Sequence, residues 1–442
     1  MQTLSLVILL GLGAVALTLA YWAFARAAAL AGRDDNPRRV EAELRIQRGR
    51  ILDTNGVVLA ETVGSPDRLD RFYPVATIGP AVGYYSFRHG TAGIEAGLDA
   101  ILRGEDEGEW ERYQRQLLHS PLVGRDVRLT LDATWQQAAD ALMGDRPGAL
   151  LLMSLPDAEI RAMVSHPGYD PNRLDDDFAA LLADERAPLV NRVTQGQYQP
   201  GLALQPFLMA VAADDGLIDL AAEVEGGERA ITYGRTTLRC ADPAVSPGLT
   251  MTWAEVLRRS CTAPLFFLAD DFGPDRLLEG YDAFSLTVAP DLPIDLVTPP
   301  AALIEDPFLA MIGQENLTVS PLQMGLALAG LVNDGRLPRP RLVAAIQDKV
   351  GVWQPFLPSY SVEEGPAVAP ATAQAILQAM AEYEGVREHS ALALSGPGDG
   401  SLGWYLGLSP ATSPRLLVVV VVEGALGVAE GQAIGRALLT RP

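Results

Sequence analysis

Acyl transfer by a serine or cysteine needs a nucleophile, a base in reach of its proton, and donors for the developing oxyanion. This chain of 442 residues is poorly supplied with bases. It holds a single lysine, Lys349, and four scattered histidines, His89, His119, His166 and His389. Between Thr194 and Ser246 there is neither a serine nor a lysine. Ser260 and Cys261 are adjacent, yet no histidine or lysine stands near them in sequence. A reactive thiolate needs a neighbouring cation to lower its pKa. Cys261 therefore reads as structural, and Ser260 as a hydroxyl without a base. No Cys-x-x-Cys or Cys/His spacing points to a metal, and no cofactor is expected. Cys240 and Cys261 are the only cysteines. Two states are open to them: free buried thiols, or a disulfide closing a loop of about 20 residues and contributing about 3 kcal/mol.

The elements that must position these residues follow from composition and pattern. The length allows a large core and two domains. A net charge of -21, with the basic charge almost all arginine, argues against nucleic acid as a partner. Leu4–Ala25 carries no charge and Arg26 ends the run. As a helix it spans roughly 33 Å, enough for a bilayer. An uncleaved anchor is expected, with a cleaved signal peptide as the alternative. Arg26, Arg33, Arg38 and Arg39 follow the run, where the positive-inside rule places the cytoplasm, so charge leaves the orientation open.

Beyond a polar linker over Ala31–Val40, Asp53-Thr54-Asn55-Gly56 lies between the strand-like Arg50–Leu52 and Val57–Ala60. Asn-Gly there predicts a type I′ hairpin. Gly90–Arg112 is punctuated by glycine and then helical in period. Val127–Leu131 reads as a strand, Asp132–Leu142 as a helix, and Gly148–Ser154 with Glu159–Ser165 as a hairpin around Pro156-Asp157. The Asp175–Asp177 run reads as a solvated loop and Gly201–Ala213 as a buried helix. Thr252 with Glu255 forms a capping box, and Ser320-Pro321 opens another apolar helix that ends before Gly335. Trp404–Leu408 and Arg415–Glu423, with five consecutive valines, precede a closing helix over Val428–Leu439. Helices in the middle and strands at both ends predict an α/β sandwich whose sheet joins N- and C-terminal strands.

Several short stretches, in order, resemble class B penicillin-binding proteins, the D,D-transpeptidases of bacterial cell-wall synthesis. Arg48-Gly49-Arg50-Ile51-Leu52-Asp53-Thr54-Asn55-Gly56 with Leu59-Ala60 is similar to the opening R-G-x-I-x-D-R-N-G-x-x-L-A. Met163 to Asn172 looks like A-M-x-S-x-P-x-Y-D-P-N, and Ile312-Gly313-Gln314-Glu315 through Met324 like I-G-Q-G…T-P-L-Q-M. The resemblance spans about 380 residues. It implies a transpeptidase domain of the penicillin-binding/β-lactamase type, an antiparallel sheet flanked by helices, over 126–442. It also implies a membrane-proximal dimerisation or pedestal-like module over 31–125 and a transmembrane anchor over 1–30.

At the three motifs the residues depart from the family. Pro200-Gly201-Leu202-Ala203-Leu204-Gln205-Pro206 occupies the place of P-G-S-T-x-K-P, so the serine and lysine positions are Leu202 and Gln205. Ser260-Cys261-Thr262 stands for S-x-N, keeping Ser260 and replacing the amide with Thr262. Leu394-Ser395-Gly396-Pro397 stands for K-T-G-T, with Leu394 where a cation would hold a substrate carboxylate. Leu202, Leu204 and Leu394 are expected to fill the old cleft. With all three motifs altered, no catalytic residue is expected. The expected protein is a single-pass membrane protein with its main domain outside the cytoplasm. It would scaffold or regulate peptidoglycan synthesis beside a polytopic glycan polymerase. Two alternatives stand beside it: an active or variant D,D-transpeptidase, and a non-covalent sensor of wall peptide or β-lactam.

Overall fold

The computed structural model describes residues 2–22, 43–65, 68–118, 120, 122–233, 236–241, 250–300, 303–356, 365–395 and 400–441. A helix runs over Gln2–Ala20, its side chains described and exposed from Ile8 onward. Among the described residues no helix is long and apolar enough to cross a membrane. The run read as an anchor, Leu4–Ala25, extends past the described residues.

In the small module the strands Val58–Ser65 and Arg68–Phe72 pair antiparallel, and Ile51–Leu52 pairs with the first of them. The Asp53–Gly56 turn is not type I′. Only Gly56 takes a positive φ, 86°, and its N–H donates to the Asp53 carbonyl at 3.1 Å. The buried Asp53 carboxylate explains the difference. It accepts from the N–H groups of Asn55 and Val57 at 2.8 and 2.7 Å, and from Ala133 N–H at 3.1 Å, holding Asn55 out of the left-handed region.

The sheet begun in the small module is completed from far along the chain. Its order is Trp353–Pro355, Val343–Gln347, Val127–Leu129, Ile51–Leu52, Val58–Ser65, Arg68–Phe72. Behind it Glu95 is fully buried. Arg48 reaches its Oε2 from Nη2 at 2.8 Å, and Arg71 reaches its Oε1 from Nε at 2.6 Å.

The larger sheet has the order Ala381–Tyr383, Val386–Leu394, Ser401–Ser409, Leu416–Glu423, Gly148–Ser154, Glu159–His166, all antiparallel. N- and C-terminal strands therefore share one sheet. The valine strand Leu416–Glu423 sits inside it and is buried on both faces, which is why its sequence is a continuous apolar run rather than an alternating one. Val419 and Val421 face the central helices. Val418, Val420 and Val422 face Tyr405, Ile434 and Leu438 on the closing helix side.

On the first face lie the helices Gln205–Asp214 and Pro321–Val332. Pro321–Val332 is apolar all round, opens with a Ser320/Gln323 capping box, and lies close to the sheet through Gly325. A Cβ there would come within 2.9 Å of Leu151 and Met153. Trp253–Arg258 opens with the Thr252/Glu255 capping box. The segment Ala263–Ala283 is two helices broken at Gly273, φ 70° and ψ 166°, just before Pro274, whose missing N–H stops a continuous ladder. Asp175, Asp176 and Asp177 form the first turn of the helix Leu174–Ala183 rather than a loop, where carboxylates face a helix N-terminus.

Candidate functional site

The segment at 200–206, where the resemblance places a nucleophile motif, is held by its backbone geometry. Pro200 leads into a 3-10 turn over Gly201–Leu204, and the α-helix proper begins at Gln205 with Pro206 in its first turn. Gly201 has φ 55°, and its N–H donates to the Gly313 carbonyl at 3.0 Å. A Cβ at Gly201 would lie 2.6 Å from the Leu392 carbonyl oxygen and from Ala393 Cβ, so glycine is required for the turn to meet the strand Val386–Leu394, which forms the edge of the sheet beyond Glu388. Residues 205–212 are all buried, which makes this the central helix of the domain.

Leu202 is half-buried and packs against the main core. Its carbonyl accepts from His389 Nε2 at 2.9 Å. Gln205 is fully buried. Its Nε2 donates to the carbonyls of Cys261 at 3.2 Å and Val256 at 3.4 Å, while its Oε1 has no partner. Ser260 adopts φ 48°, and its Oγ donates to the Ser390 carbonyl at 2.9 Å. Thr262 is buried and donates to the Arg239 carbonyl at 3.4 Å. Cys240 and Cys261 are joined by a disulfide with S–S 2.05 Å. The turn at 201–205, the loop at 260–262 and the edge strand at 389–394 thus converge on one cleft.

Leu394 is 41 % exposed, so it does not fill the cleft as expected. Leu392 beside it is exposed too. Leu394 N–H donates to Gln314 Oε1 at 3.0 Å, and Ser395 N–H to the Gly400 carbonyl at 2.9 Å. Gly396 and Pro397 lie outside the described residues.

His389 and Gln314 were not legible as cleft residues. His389 lies 187 positions from Leu202 and no spacing links them. Burial pushes the His389 imidazole down to about 4, outweighing the pull of the Leu202 and Leu257 carbonyls that face its ring. It is neutral near pH 7, and its Nε2–H is bonded to a backbone oxygen rather than to a side chain. Elsewhere, Lys349 pairs with Glu111 of the small module. His166 pairs with Asp140 at 2.8 Å, a bond that raises its pKa. His89 stacks on Phe178, ring centroids 3.8 Å apart. Among the described residues no serine or threonine hydroxyl meets a lysine or histidine side chain. What the site brings together is a frame of helix start, hydroxyl loop and β-strand.

The comparisons with known proteins agree with that frame. Residues 148–387 match the penicillin binding protein transpeptidase domain, and residues 48–127 match the penicillin binding protein A dimerisation domain. The chain belongs to the class B penicillin-binding protein family. It is similar to the peptidoglycan D,D-transpeptidase PbpA of Mycolicibacterium smegmatis, 30% identical over 91% of this chain and 90% of that one. It is also 30% identical to the Escherichia coli peptidoglycan D,D-transpeptidase MrdA, over 58% of this chain and 44% of the relative. The imipenem acyl-enzyme structure of penicillin-binding protein A from M. tuberculosis superposes with TM-score 0.78 at 25% identity, covering 90% of this chain and 98% of that one.

Proposed function

We propose that this protein is a catalytically inert member of its family that scaffolds or regulates peptidoglycan synthesis. The reading rests on position 202. A hydrocarbon stands there at the head of a helix whose turn, glycine and neighbouring loop keep the arrangement of a nucleophile site. Gln205 supports it, because an amide donating to two carbonyls cannot take a proton from anything. Loss of nucleophile and base together removes most of the rate enhancement, several powers of ten.

The remaining parts of the proposal follow from the family and the sequence. The chain would divide at 1–30, 31–125 and 126–442 into anchor, membrane-proximal module and transpeptidase-like domain. The apolar run at its start would hold it in the cell membrane as a single pass, main domain outside. Its partner would be a polytopic polymerase that extends the glycan strand. A purified complex tests this: the polymerase should co-purify with the full chain and be lost when residues 1–125 are removed, with no D-alanine released from a wall pentapeptide. Release of D-alanine by the purified chain would overturn the inert reading. The relatives' names favour the second reading, an active D,D-transpeptidase, and that same release is what it requires.

A further inference from the structure

Beside the hydroxyl loop lies a cavity of about 350 Å³ that the transpeptidase frame leaves unused. Its wall includes Arg258, Arg259, Ser260, Glu388, Ser390 and Gln432. The short strand Ala381–Tyr383 pairs with the edge strand only as far as Glu388. Past that point no strand among the described residues pairs with it on that side, and the Ser390 carbonyl is met by Ser260 Oγ at 2.9 Å. The gap is bounded by the end of the helix Trp253–Arg258 and the start of the helix Ala429–Leu439.

Three independent features converge there. Ser390 is 8% exposed and lines the cavity, yet its hydroxyl oxygen is buried with no hydrogen-bond partner. Buried hydroxyls are almost always bonded, so an orphan of this kind marks a missing partner. The 11-residue helix Ala429–Leu439 has no side-chain cap at Val428, leaving its first N–H groups unclaimed where Val428 and Gln432 meet the cavity. Such a helix start favours negative charge. Arg258 is exposed on the rim and makes no ion pair among the described residues.

One carboxylate also lines the space, and its charge is already spent. Glu388 Oε2 accepts from Arg436 Nε at 2.8 Å and Tyr405 Oη at 3.1 Å, and its Oε1 is paired with Arg436 Nη2. Among the described residues the cavity is therefore left with one unpartnered hydroxyl, Ser390 Oγ, and one arginine without an ion pair, Arg258, while Glu430 in the first turn of the helix pairs with Arg146 at 3.6 Å.

We infer that this cavity is an anion site that takes the carboxylate or phosphoryl group of a small molecule, on Arg258, the start of the Ala429–Leu439 helix and Ser390 Oγ. Its volume is at the small end for ligand sites, about 300–1,000 Å³. Ser260 Oγ grips the Ser390 carbonyl, and Ala241 N–H grips the Ser260 carbonyl at 3.1 Å. Occupancy is thereby coupled to the loop that carries Cys261. The site stands whether or not the cleft is inert, because it uses none of the residues at positions 202, 205 or 394.

Calorimetric titration of the purified full chain tests it, with inorganic phosphate in one arm and N-acetyl-D-alanine against its amide in the other. Saturable binding is expected in at least one arm, absent for the amide and weakened about tenfold or more by Arg258→Gln. Binding of phosphate alone assigns phosphate esters, and binding of the acid alone assigns carboxylates. Ser390→Ala is expected to weaken the same ligand less, with Arg186→Gln, on a remote exposed arginine, as the unchanged control. No saturable binding in either arm, or equal affinity in wild type and Arg258→Gln, overturns the site.

Discussion

His389 Nε2 donates to the carbonyl of Leu202 across 2.9 Å, tying the edge strand to the helix start from behind the position where a nucleophile would stand. The bond fastens the two elements together. A neutral imidazole has one N–H, and here it serves a backbone oxygen.

That burial has a pH signature. The folded imidazole titrates at about 4 and the unfolded one near 6.5. Between those values the unfolded chain binds a proton that the native state refuses. Stability is fully present above pH 6.5 and is lost as pH falls towards 4, by about 3 kcal/mol in total. Urea midpoints measured from pH 7 to 4 should fall more steeply for wild type than for His389→Gln. Equal slopes would mean that His389 is not buried as a neutral group.

The Cys240–Cys261 bond closes a loop of sequence separation 21 next to Ser260. In the chain-entropy model it contributes about 3 kcal/mol. Cys240→Ala, or wild type under strong reductant, should lower the unfolding free energy by about that much, read by denaturant melts. An unchanged midpoint under reductant would show that the thiols do not pair in solution.

Glu95 is the electrostatic centre of the small module. Burial works to raise its pKa, but Arg71 and Arg48 together hold it below the usual carboxylate range. Glu95→Gln leaves two buried guanidinium groups facing one amide, and should cost about 3–5 kcal/mol. Because the folded pKa is depressed, this contribution is present above about pH 4.3 and lost as the pH falls through the folded value. A loss below 1 kcal/mol, measured by the same melts at about pH 7, would show the pair to be solvated.

Much of the fold is legible in local sequence. The valine run, the Thr252/Glu255 cap, the Ser320-Pro321 helix start and the glycine–proline frame at 200–206 each state a local geometry that the chain adopts. What sequence could not carry is closure over distance. Val343–Gln347 pairs with Val127–Leu129 more than 200 positions back, and His389 meets Leu202, because the core brings them together and not because any spacing encodes it. The Asp53 turn failed for a related reason. Asn-Gly alone favours a type I′ turn, while the buried carboxylate beside it is anchored to Ala133, in another element. At the cleft, residue types at 202, 205 and 394 were plain, but the exposure of Leu394 and the capping of its N–H by Gln314 were not.

Restoring the hydroxyl alone should not restore chemistry. Leu202→Ser removes a half-buried leucine and should cost about 1–2 kcal/mol, yet it leaves Gln205 where a base is needed. The folded variant is expected to form no adduct with penicillin. An adduct at position 202 would mean that some other group in the cleft serves as the base.

The most direct measurement is intact-mass spectrometry of the purified wild-type chain after incubation with penicillin G. An inert cleft leaves the mass unchanged after denaturation, with the disulfide-bonded chain as the only species. A mass increase of one penicilloyl group that survives boiling in detergent, mapped to any serine of the cleft, would contradict it.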